Sequence, residues 1–236
     1  MNCQQYSDNT QQYLICFYEI LNQMIADMTN ASLSCSLSSD FINQMIPHHR
    51  AAIHMSRNLL MYTTNIPLQN IAQNIIKEQT QSIRNMQDIQ NCCLSLHNSQ
   101  DQINSYFNKY NSITWTMFES MQNAPTNNDI NISFMNEMIP HHEGAVRLSK
   151  NALEHCICPQ LIPILEAIIT SQEKKNYLDA SYGIGSFHTH RADLNAQFVE
   201  PKTGLIIKPT VGVNYSKNDY KMKGVEVWDE DSRKYI

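Results

Sequence analysis

The sequence predicts an all-α protein: a bundle of about six helices built from two three-helix repeats, followed by a C-terminal extension rich in strands and turns. Three observations lead to this expectation. A block of sequence recurs at a fixed offset, apolar residues within each block recur at spacings of three and four, and glycine is concentrated behind the second block. A chain of 236 residues is long enough to bury a sizeable core.

Phe41-Ile-Asn-Gln-Met-Ile-Pro-His-His-Arg-Ala-Ala-Ile-His-Met-Ser-Arg-Asn-Leu-Leu60 returns as Phe134-Met-Asn-Glu-Met-Ile-Pro-His-His-Glu-Gly-Ala-Val-Arg-Leu-Ser-Lys-Asn-Ala-Leu153, with 11 identities in 20 at an offset of 93. The same offset carries Met24 and Met28 onto Met117 and Met121, and Ile75, Ile76 and Gln79 onto Ile168, Ile169 and Gln172. One register therefore spans three segments per copy, which places a first repeat at 10–97 and a second at 103–178, packed together as one bundle.

Each segment reads as a helix. Tyr13, Phe17, Ile20, Met24 and Met28 make an apolar stripe that Tyr106, Tyr110, Ile113, Met117 and Met121 repeat. The second segment is expected to open after Ser38-Ser39-Asp40 in one copy and near Asp129 to Ser133 in the other, because such side chains accept hydrogen bonds from a helix's first free amides. The third is expected from about Pro67 to Leu96 and from about Pro159 to Leu178, with proline near its start, where a missing amide hydrogen costs least.

Behind the repeats the pattern changes. Of six glycines only Gly144 precedes residue 183, and the runs Leu205-Ile-Ile-Lys, Thr210-Val-Gly-Val and Val225-Glu-Val-Trp228 are short, β-branched and divided by turn residues. The 179–236 tail is therefore expected to hold a few strands.

Composition excludes more than it assigns. A net charge of -5 gives no basic surface of the kind that neutralises phosphates, so nucleic acid is not an expected partner. No apolar run is long enough to cross a bilayer, and the first residues lack the basic and apolar regions of a secretory signal. A cytoplasmic, membrane-free protein is expected, and a homo-oligomer is compatible with everything in the sequence. Seven cysteines cannot all pair internally, which suits reduced thiols; Cys92-Cys93 and Cys156-x-Cys158 could bind soft metal but lack the spacing of a structural zinc site.

The candidate chemistry sits on the second helix of each repeat. Phe41, Met45, His48, Ala52, Met55 and Leu59 form one stripe, and Ile42, Ile46, His49, Ile53 and Leu60 form its neighbour; Met138, His141 and His142 recur on the equivalent faces. Both histidines of each pair therefore point toward packed faces, whereas His54, set among Arg50 and Arg57 and replaced by Arg147, suits the surface. Burying an unpartnered imidazole costs roughly 1–3 kcal/mol, so these rings require hydrogen-bond partners or a metal. Thioether sulfur has little affinity for calcium, magnesium or zinc and good affinity for copper(I), which imidazole also suits, with silver(I) as its chemical mimic. Core histidines satisfied by carbonyls, among methionines that merely fill space, are the competing reading.

Adjacent side chains on a helix diverge by about 100°, so His48 and His49 are expected to serve different ions or different roles. Pro47 and Pro140 should each free the carbonyl four residues back, on Asn43 and Asn136, which could orient a ligating ring.

Met-Ile-Pro-His-His with a small residue shortly after it, and Ile-Ile-x-x-Gln on the next helix, resembles the bacterial "domain of unknown function 305" family, whose members look like ferritin-like helical bundles. The resemblance covers about residues 10 to 178 in two copies. Some members are copper-binding proteins, which implies copper(I) ligands at Met45, His48, His49, Met138, His141 and His142, with Met24, Met28, Met117 and Met121 as further candidates. Ile83 and Met86 fit the family's continuation of the third helix, but Asn176 and Asp179 stand in their places in the second copy. His188-Thr-His190 in the tail is a minor metal candidate.

Ferritin-like di-iron oxidases need Glu-x-x-His, and no such motif occurs here. Nor does a Ser-His-Asp or Cys-His arrangement stand out. The expectation is a non-enzymatic soft-metal binder serving storage or homeostasis, the alternative being a structural or interaction bundle in which Met-Ile-Pro-His-His determines the fold.

Overall fold

The computed structural model describes residues 6–172, together with the backbone of 177–185, 189–199, 206–207, 210–216, 228–229 and 234–235. The chain divides into two compact units, Met1–Glu173 and Lys174–Ile236.

The first unit is all-helical. Its helices are α1 (Asp8–Thr29), α2 (Leu37–Leu60), α3 (Ile66–Leu94), α4 (Gln100–Gln122), α5 (Ile130–Leu153) and α6 (Ile162–Gln172). Polar caps start five of them by satisfying free amides: Ser7, Ser36, Asn65, Ser99 and Asp129 each accept from a backbone N–H in the first turn. Ser99 and Gln102 form a reciprocal capping box.

Two boundaries differ from the expectation. The cap of α2 is Ser36, so Ser38, Ser39 and Asp40 lie inside the first turn and are buried. There Asp40 accepts instead from the Ser34 amide at 2.7 Å and the Ser34 hydroxyl at 3.0 Å, bracing the loop ahead of the helix. The sixth helix, described over Ile162–Gln172, begins at Ile162 rather than near Pro159, because the Leu161 amide closes a turn on the Cys158 carbonyl at 2.9 Å; Leu178, expected at its end, lies in a strand.

The expected stripes form the core. Tyr13, Phe17, Met24 and Met28 are buried, as are Tyr106, Tyr110, Ile113, Met117 and Met121; in the first stripe Leu21 is buried and Ile20 only partly so. Within each repeat the second helix packs against the first and third, and α2 packs against α5 between repeats. Ser82, Gln90 and Cys93 of α3 bond to His49, Asn43 and Ser36 in turn, so α3 runs antiparallel along the N-terminal half of α2. Among the described residues no helix is long and apolar enough to cross a membrane.

In the second unit the described backbone pairs antiparallel: β1 (Tyr177–Gly185) with β2 (Thr189–Val199), and β2 with β3 (Ile206–Ile207) and β4 (Thr210–Ser216); β5 (Trp228–Asp229) pairs with β6 (Lys234–Tyr235). His188 and Cys3 lie outside the described residues, and His190 is described by its backbone alone.

Candidate metal centre

The two Met-Ile-Pro-His-His segments meet where α2 and α5 cross. His48 and His141, equivalent positions of the two repeats, stack with ring centroids 3.7 Å apart and planes inclined by 28°. Each ring donates to the other residue's carbonyl: His48 Nε2 to His141 O and His141 Nε2 to His48 O, both at 3.2 Å. Since a carbonyl can only accept, both Nε2 atoms carry the proton, and each neutral ring keeps a lone pair at Nδ1. This exchange places an internal two-fold between the repeats. Other bonds obey it: the Asn58 amide donates to Tyr13 O at 2.9 Å and the Asn151 amide to Tyr106 O at 3.1 Å.

The second histidine of each pair flanks the stack. His49 lies 5.9 Å from His48 by ring centroid and bonds through Nε2 to Ser82 Oγ at 3.0 Å. His142 lies 5.5 Å from His141 and donates from Nδ1 to Met138 O at 2.9 Å. His48, His49 and His141 are buried and His142 is half-buried. The Nδ1 atoms of His48, His49 and His141 are buried without a hydrogen-bond partner. Adjacent histidines thus have different hydrogen-bond partners. The carbonyls that orient the rings, however, are not those of Asn43 and Asn136: His48 and His141 reach across to each other's carbonyl in the other repeat, and His142 turns back to Met138 on its own helix.

Burial keeps all four rings neutral by depressing their basicity; His49 is held down at about 3, and neighbouring histidines add to the effect on His48, His49 and His141. His54, as expected, is exposed.

All six candidate methionines lie in the buried core: Met24, Met28 and Met45 in the first repeat, Met117, Met121 and Met138 in the second. Met45 and Met138 stand three residues before His48 and His141, one turn away on the same face. Met117 lies directly over Gly144; a β-carbon there would come within 2.1 Å of its sulfur. Among the described residues no group of three or more histidine, cysteine, aspartate and glutamate side chains is arranged to hold a metal ion. Cys16, Cys35, Cys92, Cys93, Cys156 and Cys158 are free thiols. Burial pushes Cys93 up to about 12, helped by the adjacent Cys158.

One buried acid escaped the sequence reading. Glu137 is 1% exposed and accepts from the Tyr13 hydroxyl at 2.5 Å, with its Oε1 buried and unpartnered. Burial pushes its carboxyl up to about 7, against the lowering effect of Tyr13. Its equivalent in the first repeat is Gln44, which accepts from Tyr106 at 3.5 Å. The signal was present as a Gln-to-Glu difference inside the repeat, but an acid on a helix is ordinarily solvated.

The family model for a domain of unknown function (DUF305) matches residues 20–90 and again 108–176, more than half of the chain. The chain belongs to the DUF305 family. It carries two tandem copies of the DUF305 domain, and each match takes in one histidine pair with the preceding methionines. No curated protein and no solved structure matches the chain. Thus DUF305 membership rests on the repeats themselves, and the histidine stack joins one DUF305 copy to the other.

Proposed function

We propose that this tandem DUF305 protein binds a soft monovalent metal, copper(I) or its mimic silver(I), as a storage or homeostasis protein rather than as an enzyme. The observation that supports this reading is the set of three buried Nδ1 atoms without partners. A buried polar atom left unpaired costs roughly 1–3 kcal/mol, and here the opposite nitrogen of two of these rings donates to a carbonyl. That arrangement fixes tautomer and orientation in metal-binding histidines. Neutral rings need lose no proton to bind.

Among the described residues no three histidine, cysteine, aspartate or glutamate side chains converge as a structural zinc site requires. A soft ion would instead draw on few imidazoles with thioether sulfur: His48 or His141 with Met45 or Met138, His49 and His142 flanking, and Met24, Met28, Met117 and Met121 from the neighbouring helices. Bound copper would be cargo, held in a buried setting that keeps water and oxidants away. The tail 179–236, a separate strand-and-turn extension in this reading, takes no part.

The test is a titration of reduced, thiol-blocked protein with copper(I) against a competing chelator. Uptake should fall sharply in the His48→Ala/His49→Ala and His141→Ala/His142→Ala variants. Equal uptake with all four histidines removed contradicts the proposal.

A second reading draws on the reciprocal ring-to-carbonyl bonds: in it the stack is the fastener between repeats, with Met-Ile-Pro-His-His a fold determinant. It predicts that the His48→Ala/His141→Ala variant loses stability by as much in metal-free solution as with metal present.

A further inference from the structure

The start of α2 gathers two cysteines that belong to different repeats. Ser36 Oγ donates to the Cys93 carbonyl at 2.7 Å, and Ser38 Oγ accepts from the Cys158 amide at 2.8 Å. The last turn of α3 and the irregular segment between α5 and α6 are thereby fixed on neighbouring residues of one helix. Asn98 braces the same place, accepting from the Leu37 amide at 3.0 Å and donating to the Cys156 carbonyl at 2.6 Å. Cys93 and Cys158 are 0% and 3% exposed and share one core cluster. Their side chains meet: the Cys158 thiol donates to Gln160 Oε1 at 2.9 Å, which leaves its sulfur to accept from the Cys93 thiol beside it. Asn65 and Ser186 stand in the equivalent places at the repeat offset, so the pair has no counterpart across the two-fold.

A soft metal takes cysteine as thiolate, and burial holds Cys93 as a thiol by pushing it up to about 12. A dithiolate site here would bury charge, whereas a disulfide carries none. We propose that Cys93 and Cys158 are a redox pair that a small-molecule disulfide closes into an internal disulfide, stapling the first repeat to the second. Cys158 starts the reaction, since it lies outside any helix. Its thiolate attacks one sulfur of the oxidant RSSR, giving Cys158–S–S–R and RS⁻, which takes up the proton that Cys158 released. Cys93 then attacks the Cys158 sulfur and displaces the second RS⁻, its own proton passing to that leaving group. The protein loses two hydrogens and RSSR becomes two RSH. Because the Cys93 thiol rarely ionises, the second step is slow. The closed loop takes in α4 and α5, and constraining so long a stretch of the unfolded chain stabilises the fold.

The experiment incubates the full, folded chain with oxidised glutathione and a metal chelator, then quenches in acid, alkylates the remaining thiols in denaturant and maps linked peptides by mass spectrometry. The chelator makes the result independent of the metal reading. A Cys93–Cys158 link, two hydrogens lighter than the dithiol, should accumulate over minutes to hours and disappear with dithiothreitol, while exposed Cys35, Cys92 and Cys156 carry glutathione. A variant with Cys3, Cys16, Cys35, Cys92 and Cys156 changed to serine should go from two free thiols to none, and its oxidised form should melt several degrees above its reduced form. Should that variant fail to fold, the peptide map of the unaltered chain decides alone. Cys93 and Cys158 that stay alkylatable after the exposed thiols have reacted, or that end joined to glutathione or to other cysteines rather than to each other, overturn the proposal.

Discussion

At Glu137 a single side chain sets the second repeat apart from the first. Gln44, its counterpart, offers Tyr106 an acceptor with no charge to desolvate, whereas Glu137 offers Tyr13 the same acceptor and carries a carboxyl pushed up to about 7. A carboxyl with a folded value above its ordinary 4.5 binds its proton more tightly in the folded state, so its contribution is fully present below 4.5 and is lost as pH rises toward 7. Glu137→Gln should therefore raise stability at pH 8 by on the order of 2 kcal/mol and leave it little changed at pH 4, as read by denaturant unfolding at the two pH values. The residue scale is where the sequence was least informative. Periodicity assigns a side chain to a face; it does not say which face of the other repeat it meets. Tyr13 with Glu137, and His48 with His141, are contacts of that second kind.

Among the elements, α2 and α5 carry the histidine pairs and were legible in advance, because a repeated stripe of large apolar residues and a polar cap each have a direct physical reading. The start of α2 was misplaced by a few residues: Ser38, Ser39 and Asp40 have the chemistry of a cap, but the Ser36 hydroxyl takes the Ser39 amide and Asp40 turns to Ser34 instead. That Leu178 lies in a strand rather than in α6 had a trace in the sequence, in the loss of the apolar residue at Asp179. At the crossing of α4 and α5, Gly144 makes room for Met117, while Ala51 fills the equivalent place in the first repeat. Gly144→Ala should lower stability by about 1–3 kcal/mol, more than the ~1 kcal/mol that alanine gains over glycine inside a helix, and the fall in melting temperature measures it. Met117→Ala in the same chain should recover part of the loss, since the methionine is the obstruction.

For the whole molecule, the four histidines at the crossing set the response to acid. Burial holds their folded values below the ordinary 6.5, so they remain neutral in the folded state while the unfolded chain takes up protons. Their contribution is present above pH 6.5 and is lost as pH falls, each ring removing up to about 1.4 kcal/mol per pH unit. Glu137 acts in the opposite sense between 4.5 and 7, one group against four, so the net prediction is destabilisation on acidification. Denaturant midpoints between pH 7.5 and 5 should fall steadily, and less steeply in His48→Gln/His141→Gln. The two-repeat organisation that creates the crossing was the most legible feature of all, since an unbroken offset of 93 is visible in the residues alone. What it could not convey is that the two-fold passes between the histidine pairs.

The central claim concerns the unpartnered nitrogens at that crossing, and long-range proton–nitrogen NMR of the histidine rings during titration with silver(I) addresses it most directly. Before metal, His48 and His141 should show protonated Nε2 and bare Nδ1 at neutral pH. With silver(I) the Nδ1 resonances of His48, His49 and His141 should shift together and saturate, while the Nε2 protons of His48 and His141 stay in place. Nδ1 resonances that do not move while silver is taken up elsewhere in the chain would contradict the account.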